Sequence, residues 1–318
     1  VGMTRGAILP GVRLFYYFTR LWEQRGARGG SPVEATVGPC CGGERVGEAP
    51  GARGRPAPGR QGARHRSLTP PGGAASLTLR AMAAEGTVLV TGATGFVGRY
   101  VVAALTEAGY PVRALVHRGR QEVVARPGVE AVQGDVTDPD SLRRAVEGAA
   151  AVVHLVAVIR ERPPQVTFQR INVEGTRTVV RAAREAGVRR LVHQSALGAT
   201  NDPRLRYAYS KWLGEQAVRQ GGVPFTILRP SIIFGPGDEF FVTLAGLVRA
   251  FPVVPVAGRG ANRFQPIAAA DVARCLVQCL QEERHLGQLY EIGGPEYLTY
   301  DQTVTLLCRV LGVRRARV

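Results

Sequence analysis

Short apolar runs alternate with amphipathic segments from residue 87 onward. "TVLV" (87–90) is rich in β-branched residues, which is typical of a strand buried on both faces. "RYVVAALTEAG" follows with apolar positions at helical spacing and ends on Gly109. "PVRALVH" (111–117) then repeats the strand pattern. The order strand, helix, strand predicts a βαβ unit, and therefore parallel pairing of its two strands.

The same alternation continues along the chain. The further predicted elements are a strand in "VEAVQGDVTD", a helix in "PDSLRRAVEG" with Asp138 or Asp140 near its start, a strand in "AAVVHLVAV" (150–158), a helix in "NVEGTRTVVRAAREAG", a strand in "VRRLVHQSA" (188–196), a helix in "YSKWLGEQAVRQ" and a strand in "PFTILRPSIIFG". Strands alternating with helices of this length predict an α/β fold. Right-handed crossovers would place helices on both faces, so we expect a Rossmann-type, doubly wound parallel sheet.

The first 81 residues differ in composition from the remainder. They hold 16 Gly and 8 Pro, which together occupy 24 of 81 positions, whereas residues 82–318 hold 24 Gly and 13 Pro among 237. Such a glycine and proline content is typical of low-complexity, disordered sequence. The segment also carries 12 Arg and 4 Glu, so it holds +8 of the formal net charge of +16. We therefore expect residues 1–81 to be a disordered extension.

Three interpretations of this extension stay open. One is a basic arm that binds nucleic acid, but the segment has no lysine and little aromatic interleaving beyond "LFYYF" (14–18). Another is a transit peptide, which the arginine excess favours and the few serines oppose. The third is a mis-assigned start, since the chain begins with Val and Met82 stands just before the first strand. We favour Met82 as the start and expect no nucleic-acid partner.

Neither a membrane span nor a metal site is indicated by the sequence. No apolar run reaches the roughly 18 residues of a transmembrane helix. The five cysteines include no Cys-x-x-Cys pair and no Cys/His cluster at zinc spacing. Cys275 and Cys279 lie four residues apart, as reduced core thiols of one helix do. This cysteine usage predicts a cytoplasmic protein without a metal.

Gly92, Gly95 and Gly98 lie where the first strand ends and its helix begins. In a dinucleotide fingerprint the first glycine makes the turn, the second lets the backbone approach the pyrophosphate, and the third lets helix pack on strand. The first N–H groups of the helix then face the phosphates. Alone, three glycines also fit an ordinary tight βα turn, but their position between strand and helix predicts an NAD or NADP cofactor.

The end of the second strand bears on which dinucleotide binds. In an NAD protein, an acidic residue about 20 positions after the glycine motif, at the end of the second strand, binds the ribose 2′-hydroxyl. Here position 117 is His, position 118 is Arg, and no acid appears before Glu122. Arg118 suits a 2′-phosphate and favours NADP over NAD. The alternative is that Arg118 is a solvated loop charge.

Lys211 is the only lysine among 41 basic side chains, and Tyr207 stands four residues before it. On a helix the two side chains lie on one face, a turn apart. An ammonium near a phenol favours the phenolate, so we expect a lowered pKa for Tyr207 and proton transfer between its hydroxyl and a substrate oxygen. Lys211 would also hold the nicotinamide ribose, and Ser195, at the end of the fifth strand, would orient the substrate. The alternative is an exposed helix face with an ordinary Tyr and Lys.

The glycine pattern, Asp135, Asn172, Ser195 and Tyr207-x-x-x-Lys211 together resemble the short-chain dehydrogenase/reductase superfamily. The Gly-x-x-Gly-x-x-Gly spacing is similar to that of its extended and atypical branches. "TGATGFVG", "HQSALGA", "LRPSIIFGPGDEF" and "RFQPI" are similar to the atypical group that contains the nucleotide-binding accessory subunit of respiratory complex I and its NAD-dependent epimerase/dehydratase-like bacterial relatives. The resemblance runs from about residue 86 to 318. It implies an NAD(P)-binding Rossmann domain over residues 82–318, with a small C-terminal substrate lobe from about residue 232.

The resemblance also implies roles for single residues. The implied catalytic set is Ser195, Tyr207, Lys211 and Asn172, of which Asn172 supports the lysine. The implied cofactor contacts are Gly92, Gly95, Phe96, Val97 and Gly98 at the pyrophosphate, Asp135 and Val136 at the adenine, Leu155, Val156 and Ala157 after the fourth strand, and Pro230 and Ser231 near the nicotinamide.

Two departures from the family pattern concern the substrate lobe. "AAAD", which ends at Asp271, replaces a strand that usually contains a histidine, and the chain stops at Val318, where such proteins usually continue. We therefore expect this lobe to differ from that of the family and to be incomplete.

Two functions follow from the resemblance. One is an NAD(P)-dependent oxidoreductase or epimerase that transfers hydride, with Tyr207 as the acid or base. The other is an accessory or assembly subunit of a respiratory complex, peripheral to the membrane, that holds NADPH without catalysis. The intact Ser, Tyr and Lys favour the first function, and the similarity to the complex I subunit favours the second. The small-molecule substrate stays unpredicted.

Overall fold

The structure, a computed structural model, describes residues 86–117, 119–254, 263–314 and 316–317. The predicted extension over residues 1–81 lies outside these ranges, and so does Arg118.

The described elements alternate as the sequence predicts. The strands are β1 Thr87–Thr91, β2 Val112–Val116, β3 Val129–Gln133, β4 Ala149–His154, β5 Arg190–Gln194, β6 Phe225–Pro230, β7 Ile233–Phe234, β8 Val253–Val254, β9 Arg263–Phe264, β10 Ile267–Ala268, β11 Gln288–Ile292, β12 Leu298–Thr299 and β13 Ala316–Arg317. The α-helices are α1 Phe96–Glu107, α2 Pro139–Val146, α3 Thr176–Glu185, α4 Arg206–Gln220, α5 Phe240–Ala250, α6 Ala269–Gln281 and α7 Tyr300–Leu311. Two 3₁₀ turns, Gln121–Val124 and Glu283–His285, and a π-helix, Phe168–Gly175, accompany them.

A seven-stranded parallel sheet forms the centre of the molecule, in the order β11-β6-β5-β4-β1-β2-β3. The chain builds outward from β1 on one side and from β4 on the other, so the strand order reverses between these two strands. In open α/β sheets, ligands bind outside the carboxyl ends of the strands at this reversal. The prediction of a Rossmann-type, doubly wound sheet is confirmed.

Helices cover both faces of the sheet. Val88 and Val90 of β1 pack on the side of α1 and α6, while Leu89 packs on the side of α2, α3 and α4. Because neighbouring residues of a strand point to opposite faces, a strand covered on both sides must be apolar throughout. This arrangement explains the continuous apolar run of β1.

Helix ends follow the local sequence. Gly109 and Gly187 have φ of 83° and 66°, just beyond the last residues of α1 and α3. Asp138 caps α2, where its carboxylate accepts a hydrogen bond of 3.1 Å from the backbone N–H of Asp140. One difference concerns the helix predicted from Asn172, because its first part is the π-helix Phe168–Gly175 and regular α geometry begins only at Thr176.

The chain after β6 contributes to two parts of the molecule. α6 packs on the core of the central sheet and β11 joins the sheet, and Cys275 and Cys279 lie on the buried face of α6 as their spacing predicted. α5 and α7 instead share a separate small core that contains Leu244, Val248, Val254, Val304 and Leu307. The domain limits near residues 82 and 232 stay predictions.

Candidate functional site

The loop from β1 to α1 is shaped by its glycines. Gly92 has a φ of 75°, which favours glycine, and its carbonyl accepts a hydrogen bond of 2.9 Å from Gly95 N–H. A Cβ on Gly98 would come 2.1 Å from the carbonyl oxygen of Gly92, so a side chain there would push α1 away from β1. The first turn of α1 contains no acidic residue, and Gly95 caps it without a side chain. Its N–H groups therefore remain for an anionic ligand such as a pyrophosphate. Phe96 and Val97 lie in this turn.

The loop after β4 adjoins the glycine loop. The N–H of Leu155 donates to the carbonyl of Thr91 at 3.2 Å, and a Cβ on Gly92 would lie 3.2 Å from the Leu155 carbonyl carbon and from Val156 N. Leu155, Val156 and Ala157 are half-buried. The structure thus brings two predicted parts of the cofactor site together at the point where the strand order reverses.

The ends of β2 and β3 carry the predicted adenine side. Asp135 Oδ2 lies 3.5 Å from His117 Nε2, while Asp135 Oδ1 accepts hydrogen bonds from the N–H and hydroxyl of Thr137 at 2.8 and 2.9 Å. These bonds fix the Asp135 carboxylate just beyond the carboxyl end of β3. Val136 is buried in the core on the α2 side, where a Cβ on Gly175 would come 2.9 Å from its Cγ2.

Asn172 fixes the chain after β4 to α4. Its Oδ1 accepts from Val158 N–H at 2.8 Å, and its Nδ2 donates to Val158 O and to Ser210 Oγ, both at 3.0 Å. The Ser210 hydroxyl donates in turn to the Tyr207 carbonyl at 2.7 Å. Asn172 therefore acts on the lysine helix at Ser210, one residue before Lys211. Its position in a π-helix is typical of functional sites.

Lys211 projects from α4 to the end of β5. Its side chain is 3 % exposed, and its Nζ donates a hydrogen bond of 2.9 Å to the carbonyl oxygen of Gln194. Burial lowers the pKa of Lys211 to about 8, and the negative charge of Glu215 opposes this shift. The ammonium form therefore predominates at neutral pH.

Tyr207 lies on the same face of α4, with its ring 5.8 Å from that of Phe168. Burial raises the pKa of Tyr207, because the phenolate loses solvation. The expected lowering of this pKa by Lys211 is therefore wrong: desolvation dominates, and the Lys211 ammonium is directed to Gln194. At neutral pH Tyr207 keeps its proton, which suits a proton donor.

The Ser195 hydroxyl is held by a buried ion pair, which was not predicted from the sequence. The Ser195 hydroxyl donates to Glu215 Oε1 at 2.5 Å, and Arg229 donates two hydrogen bonds of 2.8 Å to the same carboxylate. Because Ser195 has one hydroxyl hydrogen, it acts toward a substrate as an acceptor in this arrangement. Two signals stood in the sequence: Glu215 follows Lys211 at i+4, and Arg229 interrupts the apolar strand "PFTILRP".

Two buried histidines lie at the ends of β4 and β5, beneath the site, and they too were not predicted from the sequence. His154 and His193 stack with ring centroids 5.2 Å apart. His154 Nδ1 lies 2.7 Å from the Thr91 hydroxyl and Nε2 lies 3.0 Å from that of Thr176. Since Thr176 donates to the Asn172 carbonyl, His154 must donate from Nε2 and accept at Nδ1. Burial lowers the pKa of His154 to about 3 and that of His193 well below its usual value, so both rings are neutral.

The end of β6 completes the arrangement. The Pro230 carbonyl accepts from Leu197 N–H at 3.0 Å, and Ser231 N–H donates to the Ile292 carbonyl at 2.8 Å. Pro230 therefore lies beside the chain that follows β5, and Ser231 lies at the end of β11. Across the described ranges, no three His, Cys, Asp or Glu side chains are grouped as metal ligands, and no helix there is long and apolar enough to cross a bilayer.

Comparison with known families and structures agrees with this geometry. The model of the NAD dependent epimerase/dehydratase family matches residues 88–293. Ceramide reductase of Caulobacter vibrioides is 39 % identical over 233 residues, which are 73 % of this chain and 72 % of that protein. NADH dehydrogenase (ubiquinone) 1 alpha subcomplex subunit 9 of Mus musculus is 32 % identical over 66 % of this chain and 58 % of its own. The dTDP-glucose 4,6-dehydratase DesIV of Streptomyces venezuelae, solved with NAD bound, superposes with a TM-score of 0.63 at 26 % identity, over 73 % of this chain and 84 % of that one.

Proposed function

The chain belongs to the NAD-dependent epimerase/dehydratase family, and we propose that it is a reductase in which Tyr207 protonates the oxygen of a carbonyl substrate. One observation carries the proposal: α4 presents the Tyr207 phenol and the buried Lys211 ammonium on one face, beside the end of β5. A protonated phenol suits the reductive direction, in which the substrate oxygen must gain a proton. The 39 % identity to a ceramide reductase supports the same direction.

The residues at the sheet reversal fit a dinucleotide. The glycine loop and the N-terminus of α1 would hold the pyrophosphate, since the absence of a side chain at Gly98 lets α1 begin close against the end of β1. Asp135 would lie at the adenine end, and Leu155 to Ala157 would line the middle. Lys211 would hold the nicotinamide ribose beside Pro230. When bound, the cofactor supplies hydride from C4 of its nicotinamide.

The protein's own groups would handle the proton. Tyr207 donates its hydroxyl proton to the substrate oxygen and becomes a phenolate, one helical turn from the Lys211 ammonium on the same face of α4. Ser195, whose hydrogen is already donated to Glu215, accepts a hydrogen bond from the product hydroxyl. Asn172 keeps α4 and the loop after β4 in place through Ser210 and Val158.

An apolar substrate fits the lobe that follows β6. Five large apolar side chains between residues 240 and 253 are exposed: Phe240, Val242, Leu247, Phe251 and Val253. Nucleotide sugars would need charged or polar partners, whereas this segment contains a single charged residue, Arg249. Carbonyl compounds with long alkyl chains are therefore the first substrates to try.

A second function is supported by a different observation. The 32 % identity to a mitochondrial NADH dehydrogenase subunit favours an accessory subunit of a respiratory complex that keeps its nucleotide without turnover. One experiment separates the two functions. The protein is loaded with NADPH, passed through gel filtration and mixed with long-chain ketones while NADPH fluorescence is followed. The reductase consumes its NADPH, whereas the accessory subunit retains it unchanged under every condition.

We further propose that the chain prefers NADP over NAD, because Arg118 follows His117 where an NAD protein has an acid. Arg118→Ala should weaken NADPH binding about tenfold or more and leave NADH binding nearly unchanged, as judged by dissociation constants. Arg120→Ala is the matched control, since it removes the same charge two residues away. Equal losses for both dinucleotides in Arg118→Ala would show that Arg118 does not contact the 2′-phosphate.

A further inference from the structure

Glu215 occupies a place in the site to which the proposed reaction assigns no role. It is 1 % exposed, lies one turn after Lys211 in α4, and accepts three hydrogen bonds, one from Ser195 and two from Arg229. Burying a carboxylate is costly unless it is paired and hydrogen-bonded, and these contacts meet that condition.

Lys211 and Glu215 contact consecutive residues at the end of β5. Lys211 donates to the carbonyl of Gln194, and Glu215 accepts from the hydroxyl of Ser195. The two side chains therefore fix the end of β5 to α4, and they place opposite charges one helical turn apart where water is excluded. In such an environment a charge acts more strongly on its neighbour than it does in water.

The other titratable groups around Lys211 come from four elements. α4 also contributes Tyr207, which is neutral, and β4 and β5 contribute His154 and His193, which are neutral as well. β6 contributes Arg229, whose second partner is the half-exposed Glu291 of β11 at 3.2 Å. Among these groups, Glu215 is the buried carboxylate that offsets the loss of solvation by the ammonium.

We propose that Glu215 is a positioning residue of this site, which holds the Ser195 hydroxyl and keeps Lys211 in its ammonium form; as a role in catalysis, this inference rests on the proposed reductase function. With Glu215 in place, Lys211 stays charged through neutral pH, where it is needed to hold the ribose. Without the carboxylate, burial acts on the ammonium unopposed, and Lys211 loses its proton at a lower pH.

The single lysine makes a direct test possible. Protein grown with lysine labelled by ¹³C at Cε gives one lysine resonance, and its shift against pH reports the protonation midpoint of Lys211 alone. The wild-type midpoint is expected near pH 8. Glu215→Gln keeps the size of the side chain but removes its charge, and the midpoint should fall by about one pH unit or more, a tenfold or greater change in proton affinity.

Glu291→Gln is the matched control. It removes a carboxylate from the other side of the same Arg229, but Glu291 is half-exposed and does not contact Ser195. Its midpoint should match that of the wild type. If Glu215→Gln does not fold, Glu215→Gln combined with Arg229→Met removes both members of the ion pair and leaves no guanidinium without its buried carboxylate, and its midpoint should fall in the same direction. A midpoint equal to the wild type in the folded variant overturns the proposal.

This readout is independent of turnover. A fallen midpoint in a protein that never consumes NADPH leaves the role of Glu215 standing and refutes the reductase function. If the protein does consume NADPH, the alkaline limb of its rate against pH should move in Glu215→Gln by the same amount as the resonance midpoint. A merely structural role for Glu215 would lower the rate without moving that limb.

Discussion

Lys211 is a lysine in a chain that otherwise uses arginine, and its surroundings give a physical reason. The side chain is buried and donates to the carbonyl of Gln194, beside a carboxylate that already has a guanidinium partner in Arg229. A compact ammonium suits one carbonyl in a confined space, whereas a planar guanidinium needs room for several donors. Burial also brings the pKa of Lys211 to about 8, a shift that arginine does not undergo in proteins.

The buried histidines predict a loss of stability in acid. Their pKa values are below the usual 6.5 in the folded protein, to about 3 for His154 and in the same direction for His193. Below about pH 6.5 the unfolded chain therefore binds more protons than the folded one. Stability is complete above that pH and falls as the pH drops toward 3, by up to about 1.4 kcal/mol per pH unit for each histidine. Urea unfolding between pH 7.5 and roughly pH 4.5 measures this slope.

Two variants separate the histidines. Neither ring nitrogen of His193 has a hydrogen-bond partner among the described residues, so His193→Phe should keep its stability at pH 7 and lose part of the acid dependence. His154→Phe should cost about 1–3 kcal/mol at pH 7, because the hydroxyls of Thr91 and Thr176 lose their partner. Identical pH slopes in the wild type and His193→Phe would contradict this account.

At the scale of elements, the contact between α1 and β1 depends on Gly98. A methyl group there would collide with the Gly92 carbonyl at 2.1 Å and with that of Ala93 at 2.7 Å. Gly98→Ala should therefore lower stability by about 1–3 kcal/mol and weaken NADPH binding at least tenfold, since the loop that faces the pyrophosphate must move. Thermal melting and NADPH titration measure the two effects.

Gly246 provides the matched control for Gly98. It lies in the middle of α5, and a Cβ there would meet nothing within 4 Å. Gly246→Ala should raise stability by about 0.5–1 kcal/mol, because glycine is unfavourable in a helix interior, and should leave NADPH binding unchanged. Similar behaviour of the two variants would mean that the close approach at Gly98 has no role in the site.

Elements were predictable from the sequence where one hydrophobic pattern, either a continuous apolar run or helical spacing, covers the whole element. β1 and α1 are examples, since their apolar positions follow the strand and helix patterns from end to end. β11 was missed because "QLYEI" is an edge strand whose mixed polarity reflects its half-exposed position. The π-helix before α3 was missed because its extra residue per turn depends on contacts such as that of Asn172 with Val158, which no local pattern encodes.

For the candidate site, the sequence could predict only those residues whose role follows from their spacing along the chain. Lys211 and Tyr207 were found because their separation places them on one helical face, and the glycines because they sit at a strand end. Glu215, Arg229 and the two histidines were missed because their roles depend on neighbours from separate strands. The direction of the Tyr207 pKa was wrong for the same reason, since desolvation is a property of the packed protein.

The whole molecule brings these parts together by its strand order. The reversal between β1 and β4 places the glycine loop beside the loop after β4, and α4 carries Tyr207 and Lys211 to the neighbouring end of β5. The cofactor and the proton donor would therefore meet at the carboxyl ends of the central strands. The central claim is that this end of the sheet is a catalytic site in which Tyr207 supplies the proton.

The rate of NADPH oxidation by Tyr207→Phe tests that claim most directly. It should be measured with the long-chain ketone that the wild type reduces fastest, at saturating NADPH and with the NADPH dissociation constant determined on the same samples. Loss of the proton donor should lower the rate by about 10²- to 10⁴-fold. The dissociation constant should change by less than about twofold, because the buried Lys211 stays in place. A Tyr207→Phe variant that oxidises NADPH as fast as the wild type would contradict the account.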